Sequence, residues 1–134
     1  MKIYTDGYTI GKNPSQKGGG YVLTTELGER LHREHILQEN FTNNEAELLG
    51  INKASQFASM GDEIVTDSQV AKDWAKNGFC KARPDLSPRA KEAKENIIFK
   101  KLTVTQVPRE QNQAGIYIEN NFKTEDGDLF GRRN

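Results

Sequence analysis

The hydrophobic pattern of this chain changes period at Thr42, and that change limits the folds open to it. Lys2 to Tyr8 alternates apolar and polar residues as a strand does, and Gly19 to Thr25 and Glu29 to Ile36 read as an antiparallel pair turning around Leu27-Gly28. Strands in such succession predict a meander. Beyond Thr42, helical and extended stretches take turns. Thr42 or Asn43 can cap a helix whose apolar positions Ala46, Leu49, Ala54, Phe57 and Ala58 suit one face, and which ends at Gly61. Ile64 to Thr66 is then a short buried strand, and Ser68 opens a second helix that stops near Asn77-Gly78. Ser87-Pro88 opens a third helix running to Phe99, Leu102 to Val107 alternates again, and Gln111 to Asn121 predicts a last helix. The expected class is α/β, a five-stranded mixed sheet flanked by helices.

Nothing in the pattern repeats or divides, so residues 1–134 are expected to form a single domain, with a tail that frays from Lys123. Cys80 is the only cysteine, which excludes an internal disulfide and a thiolate metal cluster and suits a reducing cytoplasm. The first residues read as a strand, and no later stretch approaches the roughly 18 apolar residues of a membrane span. A soluble, cytoplasmic monomer is expected. The loop Gly11 to Gly20 is rich in glycine but lacks the Lys-Ser/Thr ending of a phosphate cradle.

Formal charge is zero, with 19 basic and 19 acidic residues. The average hides an asymmetry. Lys72 to Arg109 holds ten Lys and Arg against four Asp and Glu, so it carries a net +6 and the remainder −6. A basic segment can hold phosphates while an acidic one holds cations. For any one of Lys91, Lys94, Lys100 and Lys101, solvation of a helix face is an equally good account; the segment as a whole points to a polyanion.

The acids themselves are placed at the ends of elements: Asp6 in Tyr-Thr-Asp-Gly, Glu47 in Asn-Asn-Glu-Ala-Glu-Leu, and Asp67 in Val-Thr-Asp-Ser-Gln. Separate elements can thus deliver oxygen ligands to one place. Hard divalent cations take such ligands, and a pair of them about 4 Å apart can activate a water and stabilise the departing oxygen of a phosphodiester. Taken singly, Asp6-Gly7 could make a turn, Glu47 could serve its helix N-terminus, and Asp67 could belong to a cap. No Ser, Cys or His arrangement offers a nucleophile with a neighbouring base: Ser68 reads as a cap, Cys80 lies in a Pro-bounded connection, and His32 and His35 lie on the third strand.

In these motifs, in this order, from Lys2 to Asn121, the chain resembles type 1 ribonuclease H of the bacterial kind, whose members cut the RNA strand of RNA–DNA hybrids. The resemblance implies a ribonuclease H-like fold, Asp6, Glu47 and Asp67 as ligands of two magnesium or manganese ions, and 5′-phosphate and 3′-hydroxyl products. It places the helix ligand directly before the first leucine, which selects Glu47 over Glu45. It also implies that Thr42, Asn43 and Asn44 meet the hybrid, the asparagines across the minor groove where 2′-hydroxyls mark RNA.

The family's fourth acid has no counterpart. With Asn112 as anchor, its position falls on Ile116. Asn120, one turn further on the same face, is the favoured replacement ligand, with Glu119 as competitor and Asn112 as a third choice better suited to capping. The loop after the last strand lacks the histidine that often helps product leave, and Asn77 to Pro88 is too short for an extra basic helix. Lys72, Lys76, Lys81, Arg83 and Arg89 could supply part of that grip. The alternatives are a hybrid-binding module that cuts weakly or not at all, and a related DNA nuclease.

Overall fold

The computed structural model describes residues 1–122 and the backbone of Leu129–Phe130. Its elements follow the expected order: β1 (Lys2–Ile10), β2 (Gly19–Thr24), β3 (Arg30–Ile36), α1 (Asn43–Phe57), β4 (Glu63–Thr66), α2 (Gln69–Asn77), α3 (Ser87–Phe99), β5 (Thr103–Gln106) and α4 (Gln113–Asn121). The strand order is β3-β2-β1-β4-β5. β1 to β3 form the antiparallel meander, whereas β4 and β5 run parallel to β1, so the sheet is mixed.

Strand alternation sorts side chains to the two faces. Ile3, Tyr21, Leu23, Ile64 and Val104 pack under Ala54 and Ala58 of α1. Tyr8 and Val22 point the other way, against Ile118 of α4 and Phe122. A further apolar layer joins α1 to α2 and α3 through Leu48, Ile51, Ala71, Ala75, Ala90 and Ala93, with Trp74 packed against it. Helices thus cover both faces of the sheet.

Caps fix several boundaries. Thr42 Oγ1 accepts from the Glu45 N–H at 3.1 Å and Ser68 Oγ from the Ala71 N–H at 3.1 Å, contacts of a kind worth about 1 kcal/mol each. The last helix differs from expectation at its start. A single 3-10 turn (Arg109–Gln111) precedes Asn112, whose side chain caps α4 through the Ala114 N–H. Within the tail from Lys123, Leu129–Phe130 forms a two-residue strand, β6, antiparallel to β1 at Thr9 and Ile10. The rest of that tail lies outside the described residues.

Candidate active site

β4 pairs with β1 only from Lys2 to Tyr4 and ends at Thr66. β6 joins the same edge only at Thr9, because β2 occupies the opposite one. Asp6 therefore lies in a stretch of β1 where, among the described residues, that edge has no strand neighbour. Asp67 follows directly on the last residue of β4, alongside it.

Glu47 reaches this place because Gly7 has no side chain. A Cβ at Gly7 would stand 2.7 Å from Ala46 Cβ and 2.8 Å from both the Ala46 carbonyl carbon and the Glu47 nitrogen. With hydrogen there instead, α1 rests on the backbone of β1, and the Gly7 N–H donates to the Glu47 carboxylate. The Asp-Gly pair is thus mid-strand, in β1, where a turn was the competing reading.

The result is a group of carboxylates, from Asp6, Glu47 and Asp67, with one oxygen of each within 4.8 Å of the others. Asp6 is 1 % exposed, Glu47 3 %, and Asp67 half-buried. Burial pushes the Glu47 carboxyl well above the ordinary glutamate range, and the charges of Asp6 and Asp67 add to that, against the Gly7 N–H. Negative charge is crowded here in a largely buried place. A divalent cation relieves that crowding, and an all-oxygen donor set suits hard ions such as magnesium and manganese. The residues present fit a metal.

The fourth position is less well served. The Ile116 N–H donates to the Asn112 carbonyl at 3.0 Å, so residue 116 stands one turn into α4, and its side chain is apolar. Asn120 and Glu119 are both exposed in the last turn. Residue 120 lies eight residues, about 12 Å of helix rise, beyond Asn112. Asn112, the cap of α4, does touch one of the acids: its Nδ2 donates to Asp67 Oδ2 at 3.1 Å.

Of the expected substrate residues, Thr42 spends its hydroxyl on the cap, Asn43 is half-buried and Asn44 exposed. The Gly11–Gly18 loop is stitched to them: Asn13 Oδ1 accepts from the Asn43 N–H at 3.0 Å, and Ser15 and Phe41 exchange backbone bonds at 2.8 and 2.9 Å. Arg83, expected in a phosphate grip, is committed elsewhere. Its Nε and Nη2 fork onto Asp85 at 3.0 and 2.8 Å, and it reaches Glu45 at 3.6 Å and Thr42 Oγ1 at 3.5 Å. Sequence reasoning missed Asn13 and this role of Arg83, because neither contact leaves a spacing signal. Among the described residues, no helix is long and apolar enough to cross a membrane.

Solved structures share this fold. The N-terminal RNase H domain of Rv2228c from Mycobacterium tuberculosis is 24 % identical, with a TM-score of 0.62 over 84 % of this chain and 90 % of that one. RNase H1 from the halophilic archaeon Halobacterium salinarum NRC-1 is likewise 24 % identical, TM-score 0.62, over 89 % and 97 %. LC11-RNase H1 in complex with an RNA/DNA hybrid is 26 % identical, TM-score 0.60, over 83 % and 87 %. Comparison with curated protein sequences finds no match. The profile of the RNase H family, however, matches residues 1–119, from the first strand to the last helix and across Asp6, Glu47 and Asp67: the chain belongs to the RNase H family.

Proposed function

We propose that the protein is an endoribonuclease that hydrolyses the RNA strand of RNA–DNA hybrids, with divalent cations held by Asp6, Glu47 and Asp67. The observation that carries this is the meeting of those carboxylates within 4.8 Å in an RNase H fold. LC11-RNase H1, whose structure is known with an RNA/DNA hybrid bound, supports the substrate class. Two magnesium or manganese ions bound there would activate a water for in-line attack and stabilise the departing 3′ oxygen, leaving 5′-phosphate and 3′-hydroxyl ends.

The chain's own part is to hold and orient. Asp6 is fixed by the central strand, and Asp67 by the end of β4. Glu47 must release its proton before its carboxylate can act as a ligand, so cation binding weakens as pH falls. Asn44, Asn43 and the Asn13 loop stand beside the N-terminus of α1, where backbone N–H groups favour a phosphate and where asparagine side chains can meet 2′-hydroxyls. The basic stretch from Lys72 to Arg109, Arg83 excepted, supplies attraction for the backbone. Ile116 in place of an acid favours a second reading, a hybrid-binding module with little cutting.

Cleavage of a labelled hybrid in magnesium and in manganese separates these readings. The nuclease reading expects cutting that disappears in Asp6→Asn while hybrid binding persists. Binding without cutting in either metal would leave the module, and cutting of all-DNA duplex at a comparable rate would point to a DNA nuclease.

A further inference from the structure

The amide of Asn112 does more than cap α4. Its side chain is 0 % exposed, and every hydrogen-bonding atom of it is engaged. Oδ1 accepts from the Ala114 N–H at 3.1 Å, while Nδ2 donates to the Thr5 carbonyl at 3.0 Å and to Asp67 Oδ2 at 3.1 Å. This fixes the amide one way round. Turned over, its oxygen would face the Thr5 carbonyl and a carboxylate oxygen, and its nitrogen would face another N–H.

The site explains why such a tether is useful. β4 pairs with β1 only as far as Tyr4 and β6 joins at Thr9, so among the described residues no strand meets that edge of β1 between them, and the amide takes up the Thr5 carbonyl there. Thr5 directly precedes Asp6, and Asp67 stands in the turn after β4. One buried amide therefore grips the backbone beside one acid and the carboxylate of another. We infer that Asn112 is a positioning residue that sets the Asp67 carboxylate in register with Asp6. The inference rests on the metal-site reading above. In a chain whose α4 carries Ile116 where an acid would be, it makes Asn112 the residue by which that helix still shapes the site.

A cap alone would be a sufficient reason for an Asn here, and Asn112→Ser separates the two roles. Serine caps as well as asparagine but is one atom too short to reach Asp67. Binding of Mn2+ to the full chain, followed by the loss of the free-ion paramagnetic resonance signal, is measured alongside urea unfolding and cleavage kinetics. Positioning predicts that Asn112→Ser folds, binds Mn2+ about 10-fold or more weakly, as loss of an outer-sphere partner generally does, and keeps its KM for hybrid. Unchanged Mn2+ affinity in a folded variant would overturn the inference. Should the variant not fold, the unaltered protein decides: on addition of Mg2+ the Asn112 side-chain NH2 resonances must shift together with the Gly7 amide, and a Gly7 shift without them overturns it. If the unaltered protein binds no Mn2+ at all, the metal-site reading itself has failed, and the inference falls with it.

Discussion

Adding one methyl group at Gly7 should disable the site from beneath. A Cβ there lies 2.7 Å from Ala46 Cβ and 2.8 Å from two α1 backbone atoms, where ordinary contact begins at 3.4 Å, so α1 must withdraw by about 0.7 Å. No rotamer change relieves a clash with backbone. The helix cannot easily pivot either, because one turn further on Gly50 sits so close to β1 that a Cβ there would collide with Thr5 Oγ1 and stand 3.3 Å from Tyr21 Cβ. Overpacking of this kind costs about 1–3 kcal/mol. Withdrawal also opens the Gly7 N–H bond to Glu47 and moves that carboxylate out of the group, and a misplacement on the order of 1 Å can cost about 100-fold in rate.

Gly7→Ala is therefore expected to unfold at lower urea concentration, to cut hybrid about 100-fold more slowly, and to bind hybrid within a few-fold of the parent. Binding persists because the basic segment lies outside α1 and the withdrawal moves Asn43 and Asn44 by only about 0.7 Å. Initial rates and fluorescence anisotropy with the same labelled hybrid measure both effects on one preparation. Parental rate and stability in Gly7→Ala would refute the close-approach argument.

Two further outcomes follow from the electrostatics of α1. The folded-state Glu47 carboxyl titrates above its unfolded value, so it favours folding below the unfolded value, and that contribution is lost as pH rises through the folded one; the metal-free parent should thus lose stability with rising pH, and Glu47→Gln should lose less, by calorimetric melts in chelator. Arg83→Met leaves the Glu45 carboxylate, 6 % exposed, without its cation and slackens the start of α1; it should cost about 1 kcal/mol, given a partly exposed arginine, and raise the KM for hybrid with kcat held, as steady-state kinetics would show.

The elements were legible because each carries its own punctuation. Thr42, Ser68 and Gly78 mark helix ends in sequence as they do in space, and Gly78 adopts φ 80°. The α4 start was blurred because Arg109–Gln111 forms a 3-10 turn, whose composition resembles that of the helix it precedes. In the site, the acids could be read from their neighbours. Their supports could not: Asn112 to Thr5, Asn13 to Asn43 and Arg83 to Thr42 join residues 107, 30 and 41 apart. Such contacts depend on how elements dock.

The apolar residue at 116 gives the last and most direct test of how charge is balanced here. Burial and the neighbouring acids already push the Glu47 carboxyl up, so a fourth acid one turn into α4, on the Asn112 side of the helix, would raise the cost of the metal-free state further. Bound cations reverse the sign, because the added charge then faces positive charge. Ile116→Asp should accordingly melt lower than the parent in chelator, gain more on addition of Mn2+, and cut hybrid faster in magnesium. Asn120→Asp, exposed and about 12 Å of helix rise from Asn112, should leave all three within a few-fold of the parent. Were Asn120→Asp the variant that tightened Mn2+ binding and Ile116→Asp the silent one, α4 would have to enter the site at a different depth from the one its Asn112 cap sets.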